Sequence, residues 1–293
     1  MYYCFILHVR YNWAKFECMK SLSLYFSPTG GGAKIAHAIK QSIDGQECES
    51  QYSLNLNKKS ISEEDGEVPD MPVIFTVPVY GGHMPKIAME RFDNVRSLTG
   101  QPAILVVVYG NRAFENALTD LEAFVKDRGF NPVAAAAFSC EHTYSDSDTP
   151  IAVGRPDEED LQAAMEFGRL VRGKLMKGDH SPINTSDLKD EPSSEESVKN
   201  FIAFVREYQA RQANAPKTYL PILDSSRCVS CGECRDVCPT SAIFEDFTVD
   251  AARCIKCCAC VKSCPTGART FFSPFASVLS RNFSERKSPH WIL

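Results

Sequence analysis

A chain of 293 residues with 44% hydrophobic and 24% charged side chains can build one sizeable core and a small second module. Its formal charge of −5 argues against nucleic acid as the main partner. No apolar run approaches the ~20 residues that span a bilayer, and the patch Tyr2–Leu7 lacks the basic lead and cleavage site of a signal peptide, so no membrane role is expected and a cytoplasmic setting is.

Residues 1–20 read as an N-terminal extension outside the fold, because Met19 stands just before the first convincing strand. A buried accessory strand is the rival reading. From 21 to 178, apolar runs alternate with helical patterns, which predicts a parallel sheet covered on both faces. The expected strands are Ser21–Phe26, Gln51–Asn55, Val73–Val77, Ala103–Val108 and Val133–Phe138, and the expected helices Ala33–Ser42, Pro85–Asn94, Ala113–Asp127 and Asp157–Met176. This spacing suits an α/β, doubly wound, flavodoxin-like sheet of order 2-1-3-4-5, whose ligand site lies beyond the strand C-termini between the first and third strands.

Three loops fall at that place. The first carries Ser27, Thr29, Gly30, Gly31, Gly32 and Ala33, hydroxyls and glycine backbone opening onto a helix N-terminus, as a phosphate requires. It matches neither the Walker nor the dinucleotide fingerprint. The second carries Val79, Tyr80, Gly81 and Gly82, with Tyr80 placed to lie on an isoalloxazine face. The third carries Tyr109, Gly110 and Asn111, whose aromatic ring is expected to cover the flavin. Together they predict an FMN site. His83 alone reads as a surface or supporting residue, and no acid–base triad is evident.

Residues 179–216 read as an exposed acidic linker followed by an amphipathic helix over 198–212, its stripe Phe201, Phe204, Val205 and Tyr208 packing on one of the domains. A small α+β module follows at 217–272. It holds Cys228-x2-Cys231-x2-Cys234-x3-Cys238-Pro239 and, 26 residues on, Cys254-x2-Cys257-x2-Cys260-x3-Cys264-Pro265. This is the spacing of two-cluster ferredoxins, where the fourth cysteine of each run serves the other cluster. One [4Fe–4S] cluster is therefore assigned to Cys228, Cys231, Cys234 and Cys264, and the other to Cys254, Cys257, Cys260 and Cys238. The repeat sets the extra Cys258 opposite Gly232, so it is not a ligand. Zinc knuckles and disulfides are weaker readings of eight cysteines in this frame. Outer strands Tyr219–Leu223 and Arg269–Phe272 and a hairpin of Ala242–Phe244 with Phe247–Val249 are expected; the tail 273–293 suggests no role.

Ser27-x-Thr29-Gly30 resembles the flavodoxin phosphate loop, and the domain order resembles the flavodoxin–ferredoxin fusion proteins. Segments similar to Pro78–Pro85, Tyr109–Phe114, Glu141–Ser145 and Gly154–Asp157 occur in that family, so the resemblance spans about 21–272. One departure is Gly32, where flavodoxins usually place a second threonine. The resemblance implies electron transfer between two clusters and FMN, with redox partner proteins of unstated identity. The alternative is a ferredoxin-type carrier whose flavodoxin-like domain is empty and docks a partner enzyme.

Overall fold

The computed structural model describes residues 19–45, 53–62, 68 and 70–293. Residues 1–18 of the expected extension (1–20) and the start of the second expected strand, Gln51 and Tyr52, lie outside the described residues, while Met19 packs against the core. Strands β1 (Leu22–Tyr25), β2 (Ser53–Asn55), β3 (Val73–Pro78), β4 (Pro102–Tyr109) and β5 (Asn131–Ser139) form a parallel sheet of order β2-β1-β3-β4-β5. The central strands are buried along nearly their whole length, which is why they read as unbroken Val/Ile/Ala runs rather than alternating ones. Helices α1 (Gly31–Asp44) and α4 (Glu158–Met176) cover one face, packing Ile35, Ile39 and Ile43 beside Phe167 and Val171. Helices α2 (Lys86–Phe92) and α3 (Ala117–Asp127) cover the other, where Phe75 meets Phe92 and Phe130 edge to face. Helix α4 starts at a reciprocal capping box: Asp157 accepts from the Asp160 amide, and Asp160 accepts from the Asp157 amide.

Two regions depart from the sequence reading. The acidic stretch after α4 is bound along the domain rather than free in solvent: Ile183 N–H donates to the Pro132 carbonyl at 2.9 Å, and the Asp190 carboxylate accepts from the amides of Phe114 and Glu115 at 2.7 and 2.9 Å. Its carboxylates satisfy backbone amides, a use that composition does not reveal. The tail is built in as well. Helix α8 (Ala276–Asn282) leads to β8 (His290–Ile292), which pairs antiparallel with Ala135–Ala137 and makes the sheet six-stranded. Before it, Arg286 pairs with Asp157, Glu159 and Asp160, and Asn111 Nδ2 donates to the carbonyls of Phe283 and Glu285.

Helix α5 (Glu195–Asn214) is longer at both ends than expected, and its aromatic stripe packs on the tail: Phe201 meets Phe283, while Phe204 and Tyr208 meet Phe275. The cysteine module thus leaves the sheet domain after α5 and returns to it through α8. Within the module, β6 (Ile222–Leu223) pairs with β7 (Arg269–Thr270), shorter than the outer strands expected, and the hairpin reduces to a bridge between Ile243 and Val249. Short helices α6 (Glu233–Asp236) and α7 (Ala259–Lys262) follow the two cysteine loops.

Candidate functional site

The duplication is visible in the backbone. Positive φ angles recur 26 residues apart: Ser230 with Lys256 (52° and 57°), Gly232 with Cys258 (83° and 59°), Ser241 with Gly267 (49° and 60°). The repeats cross-pair, Asp224 N–H donating to Ala268 and Asp250 N–H to Ala242, both at 2.8 Å. Each run ends on a matching pair, Cys238 Sγ beside Thr240 Oγ1 at 3.7 Å and Cys264 Sγ beside Thr266 Oγ1 at 3.8 Å.

In this pseudo-twofold arrangement the cysteines fall into two groups, each beside its own small cavity. Cys228, Cys231, Cys234 and Cys264 line one small cavity with Leu223, Val229 and Phe247. Cys254, Cys257, Cys260 and Cys238 line a second with Pro221, Ile243 and Ile255. Among the described residues, no three His, Cys, Asp or Glu groups converge as a single metal ion needs; each set surrounds a space instead. Thiolate sulfur with backbone donors around it is the donor chemistry a cubane cluster takes, and Cys228 Sγ and Cys238 Sγ accept from Ser230 N–H at 3.4 Å and Ala242 N–H at 3.2 Å. Without metal, burial pushes the Cys257 and Cys260 thiols up to about 11 and about 12, so loading the site must displace protons. Cys258 also borders the second cavity, but its thiol donates to the Lys256 carbonyl at 3.6 Å, and its backbone occupies the left-handed position that Gly232 takes in the first repeat.

The first domain's loops border a cavity of about 540 Å³ at the strand C-termini. At one end, helix α1 has no side-chain cap; Gly30 sits at φ 86°, and Ser27 Oγ accepts from the Ala33 amide at 3.0 Å. Ser27, Thr29, Gly31 and Gly32 line the cavity with Lys34, Arg155 and Pro156, whereas Gly30 and Ala33 do not. The absent threonine has a steric cause: a Cβ at Gly32 would lie 2.8 Å from Val108 Cγ2 and 3.2 Å from Ser27 Oγ. A helix N-terminus whose N-cap is a glycine, opening through hydroxyl and glycine residues, fits a phosphate. Val79, Tyr80, Gly81, Gly82 and Gly110 also line the cavity, with Arg112, His142 and Tyr144, and its volume and aromatic lining fit a flavin nucleotide.

Tyr109 borders the cavity but also packs in the core, and Asn111 is absent from the cavity wall. The Tyr109 ring is only 3% exposed and packs on Phe114 in the core, so Tyr109 borders the cavity without covering a ligand. Asn111 is turned inward, accepting from Ser139 Oγ at 2.9 Å and holding the tail. The Asn111 orientation goes with the returning tail, whose Phe283 and Glu285 carbonyls its amide reaches. His83 is exposed and pairs with Asp120 at 2.8 Å, away from the cavity.

Sequence reasoning named the stretch containing His142, Tyr144 and Arg155 only by resemblance; it expected Phe201 to pack on a domain but gave no role to Phe275 and Leu279 of the tail. His142 Nδ1 accepts from the Tyr144 amide at 3.1 Å, and burial with nearby Arg112 and Lys262 pushes its pKa down to about 4, so the ring is neutral at ordinary pH. Arg155 donates Nε to Asp160 at 2.8 Å and is fixed in a buried pair that also touches Arg286. Phe201, Phe275 and Leu279 close the cavity from α5 and the tail, while Ile255, Lys256 and Lys262 enter from the cysteine module. Ile255 and Lys256 border both this cavity and the second cysteine cavity. That contact is secured by Lys262 Nζ, 2.7 Å from Glu141 Oε1 and 2.9 Å from the Ser145 carbonyl, and by Arg91 Nη2, which donates to the Pro239 carbonyl at 2.8 Å. Burial, with Cys257 and Cys258 nearby, holds the Tyr80 phenol well above its ordinary pKa, and the same groups push Tyr144 up to about 12.

Residues 221–244 and 247–270 each match the family described as a 4Fe–4S binding domain. No curated protein matches the chain. Among solved structures, oxidised flavodoxin 2 from Bacillus cereus is 20% identical over 53% of this chain and 99% of its own, with a TM-score of 0.40. A Streptococcus pneumonia TIGR4 flavodoxin is 15% identical over 53% and 98%, with a TM-score of 0.38. The Flv1 flavodiiron core from Synechocystis sp. PCC6803 is 17% identical over 56% of this chain, which spans only 37% of that core, with a TM-score of 0.40. A flavodoxin-type strand order followed by a ferredoxin repeat gives the chain the organisation of a flavodoxin–ferredoxin fusion. Among the described residues, no helix is long and apolar enough to cross a membrane.

Proposed function

We propose that this protein transfers electrons between two [4Fe–4S] clusters held by its cysteine repeats and an FMN held by its first domain. The observation that carries this reading is the shared wall: Ile255 and Lys256 border both the flavin-sized cavity and the space enclosed by Cys254, Cys257, Cys260 and Cys238. A flavin exchanges two electrons where clusters pass one at a time, so the pair joins a one-electron circuit to a two-electron reaction. The chain's own contribution is placement. The α1 N-terminus, Ser27 and Thr29 receive the phosphate; Tyr80, His142 and Tyr144 flank the ring system; Phe201, Phe275 and Leu279 exclude water. The second repeat's cluster is then proximal to the flavin, and the first repeat's cluster, beside exposed Cys231, is distal.

Anaerobically purified protein assayed for iron, sulfide, zinc and flavin tests this directly. About eight iron and eight sulfide per chain are expected from two four-iron clusters, with one FMN bound or taken up on titration. Zinc in place of iron overturns the cluster assignment. Full iron with no flavin uptake, even with FMN in excess, favours the carrier reading, in which the first domain docks a partner and binds no flavin.

A further inference from the structure

The two repeats share a backbone but not an environment. In the second, Cys257, Cys258, Ala259 and Cys260 are all buried, and Ile255 lies against the first domain. In the first, the equivalent residues Cys231 and Glu233 are exposed, and Val229, the counterpart of Ile255, is 63% exposed. The charges around the two faces are reversed. The covered face carries Arg253, Lys256 and Lys262 against one carboxylate, Asp250, and meets Glu141 of the first domain. At the same positions the open face carries Arg227, where the covered face has Arg253, but Ser230 and Asp236 replace Lys256 and Lys262. Glu233 stands for Ala259, Asp224 for Asp250, and Arg235, paired with Glu245 at 3.7 Å, for Val261.

We propose that this open face is a second electron port, the docking site of an external one-electron redox protein with a basic rim around its own cofactor. The proposal rests on the electron-transfer reading above. The covered face shows how such a contact is made: an apolar residue beside the cluster loop seats against the partner, and a charge at the position of Asp236 or Lys262 pairs across the joint. Because the open face carries the opposite sign, its partner must be basic where the first domain is acidic. In each encounter one electron leaves the reduced protein and enters the partner's cofactor, with no bond made or broken.

Cytochrome c, a basic haem protein, is a suitable probe. Protein reduced with dithionite and freed of excess reductant is mixed with ferric cytochrome c, and haem reduction is followed by stopped flow across a range of salt concentrations. The second-order rate is expected to fall steeply with salt. The double variant Glu233→Lys/Asp236→Lys is expected to lower it on the order of 10-fold at low salt, and Glu233→Gln/Asp236→Asn by less. Iron content and the rate with 1,4-benzoquinone, an uncharged oxidant, stay unchanged. A wild-type rate indifferent to salt, or variants with full iron and an unaltered cytochrome rate, overturns the port. Concentration-dependent dimers abolished by Val229→Lys also overturn it and assign the face to a second copy of the chain. A protein lacking iron defeats the cluster reading itself and is recognised as such by the iron assay.

Discussion

The two cysteine repeats are one backbone placed in two surroundings. Matching positive-φ residues and cross-paired amides show that duplication supplied the local fold. The differences between them set their surroundings: the second repeat carries Ile255, Lys256 and Lys262 and borders the cavity, while the first carries exposed Glu233 and Asp236. A symmetric repeat acquires two unlike faces when one of them is covered by the sheet domain.

The largest test of this comparison is removal of the metal. The module buries little of its own, its core cluster consisting of Cys238, Ala242, Ile243 and Cys260 with a few partly buried neighbours. Iron removal by oxidation and chelation is expected to unfold 217–272 and leave the parallel sheet intact, read as protease cleavage confined to the module and faster on the order of 100-fold. Uniform cleavage across both parts would show that the sheet domain depends on the clusters as well.

Next in size is the contrast between adjacent cysteines. Cys257→Ala is expected to lose about four of eight iron per chain, whereas Cys258→Ala keeps them all, because the Cys258 thiol is committed to the Lys256 carbonyl. Equal iron loss in both would make Cys258 a ligand and break the equivalence with Gly232.

Gly32→Ala examines the phosphate end. The new Cβ meets Val108 and Ser27, so a loss of about 1–3 kcal/mol in denaturant unfolding, with no gain in FMN affinity, is expected. Tighter FMN binding would mean that the loop has room for the threonine flavodoxins usually carry.

The smallest effect concerns the tail that returns the module to the sheet. Hydrogen bonds from Arg286 hold the Asp157 carboxyl well below the usual carboxylate range, with its part in the capping box adding to the shift. A depressed folded-state pKa contributes stability that is present above the unfolded value, about 4, and is lost as pH falls toward the folded value. Both side chains are about two-fifths exposed, so solvent screening limits the pair to roughly 1 kcal/mol or less. Arg286→Met should therefore lower Tm at pH 7 and converge on the wild type under strongly acidic conditions. A difference independent of pH would assign the effect of Arg286 to packing.

Much of this was legible in the sequence because it depends on local repetition. The strand runs at 73–78, 102–109 and 131–139 are buried on both faces and so are continuously apolar. The cysteine spacing repeats after 26 residues, and the glycine loops lie at strand ends where the sheet order makes a crevice. The parts that were not legible depend on long-range return of the chain. His290–Ile292 is a short strand with no alternation to mark it, and it gains its meaning only beside Ala135–Ala137. Its approach turns Asn111 from a cavity residue into an anchor. Asp190 reads as linker charge until its two amide partners, 76 and 75 residues away, are seen. The roof of the cavity comes from three separate segments; helical spacing marks Phe201 as a packing residue, but nothing local marks Phe275, Leu279 or Ile255 as cavity residues.

The central claim is that electrons enter or leave at the first repeat and meet the flavin through the second. Flash photoreduction with methyl viologen, whose radical is a small cation, separates the two events: cluster bleaching that depends on viologen concentration, then flavin reduction that does not. Asp236→Lys is predicted to slow only the first phase, by repelling the cation, and Lys262→Glu only the second, by setting like charge against Glu141. Flavin reduced directly in the concentration-dependent phase, or Asp236→Lys slowing the second phase and sparing the first, would contradict the account.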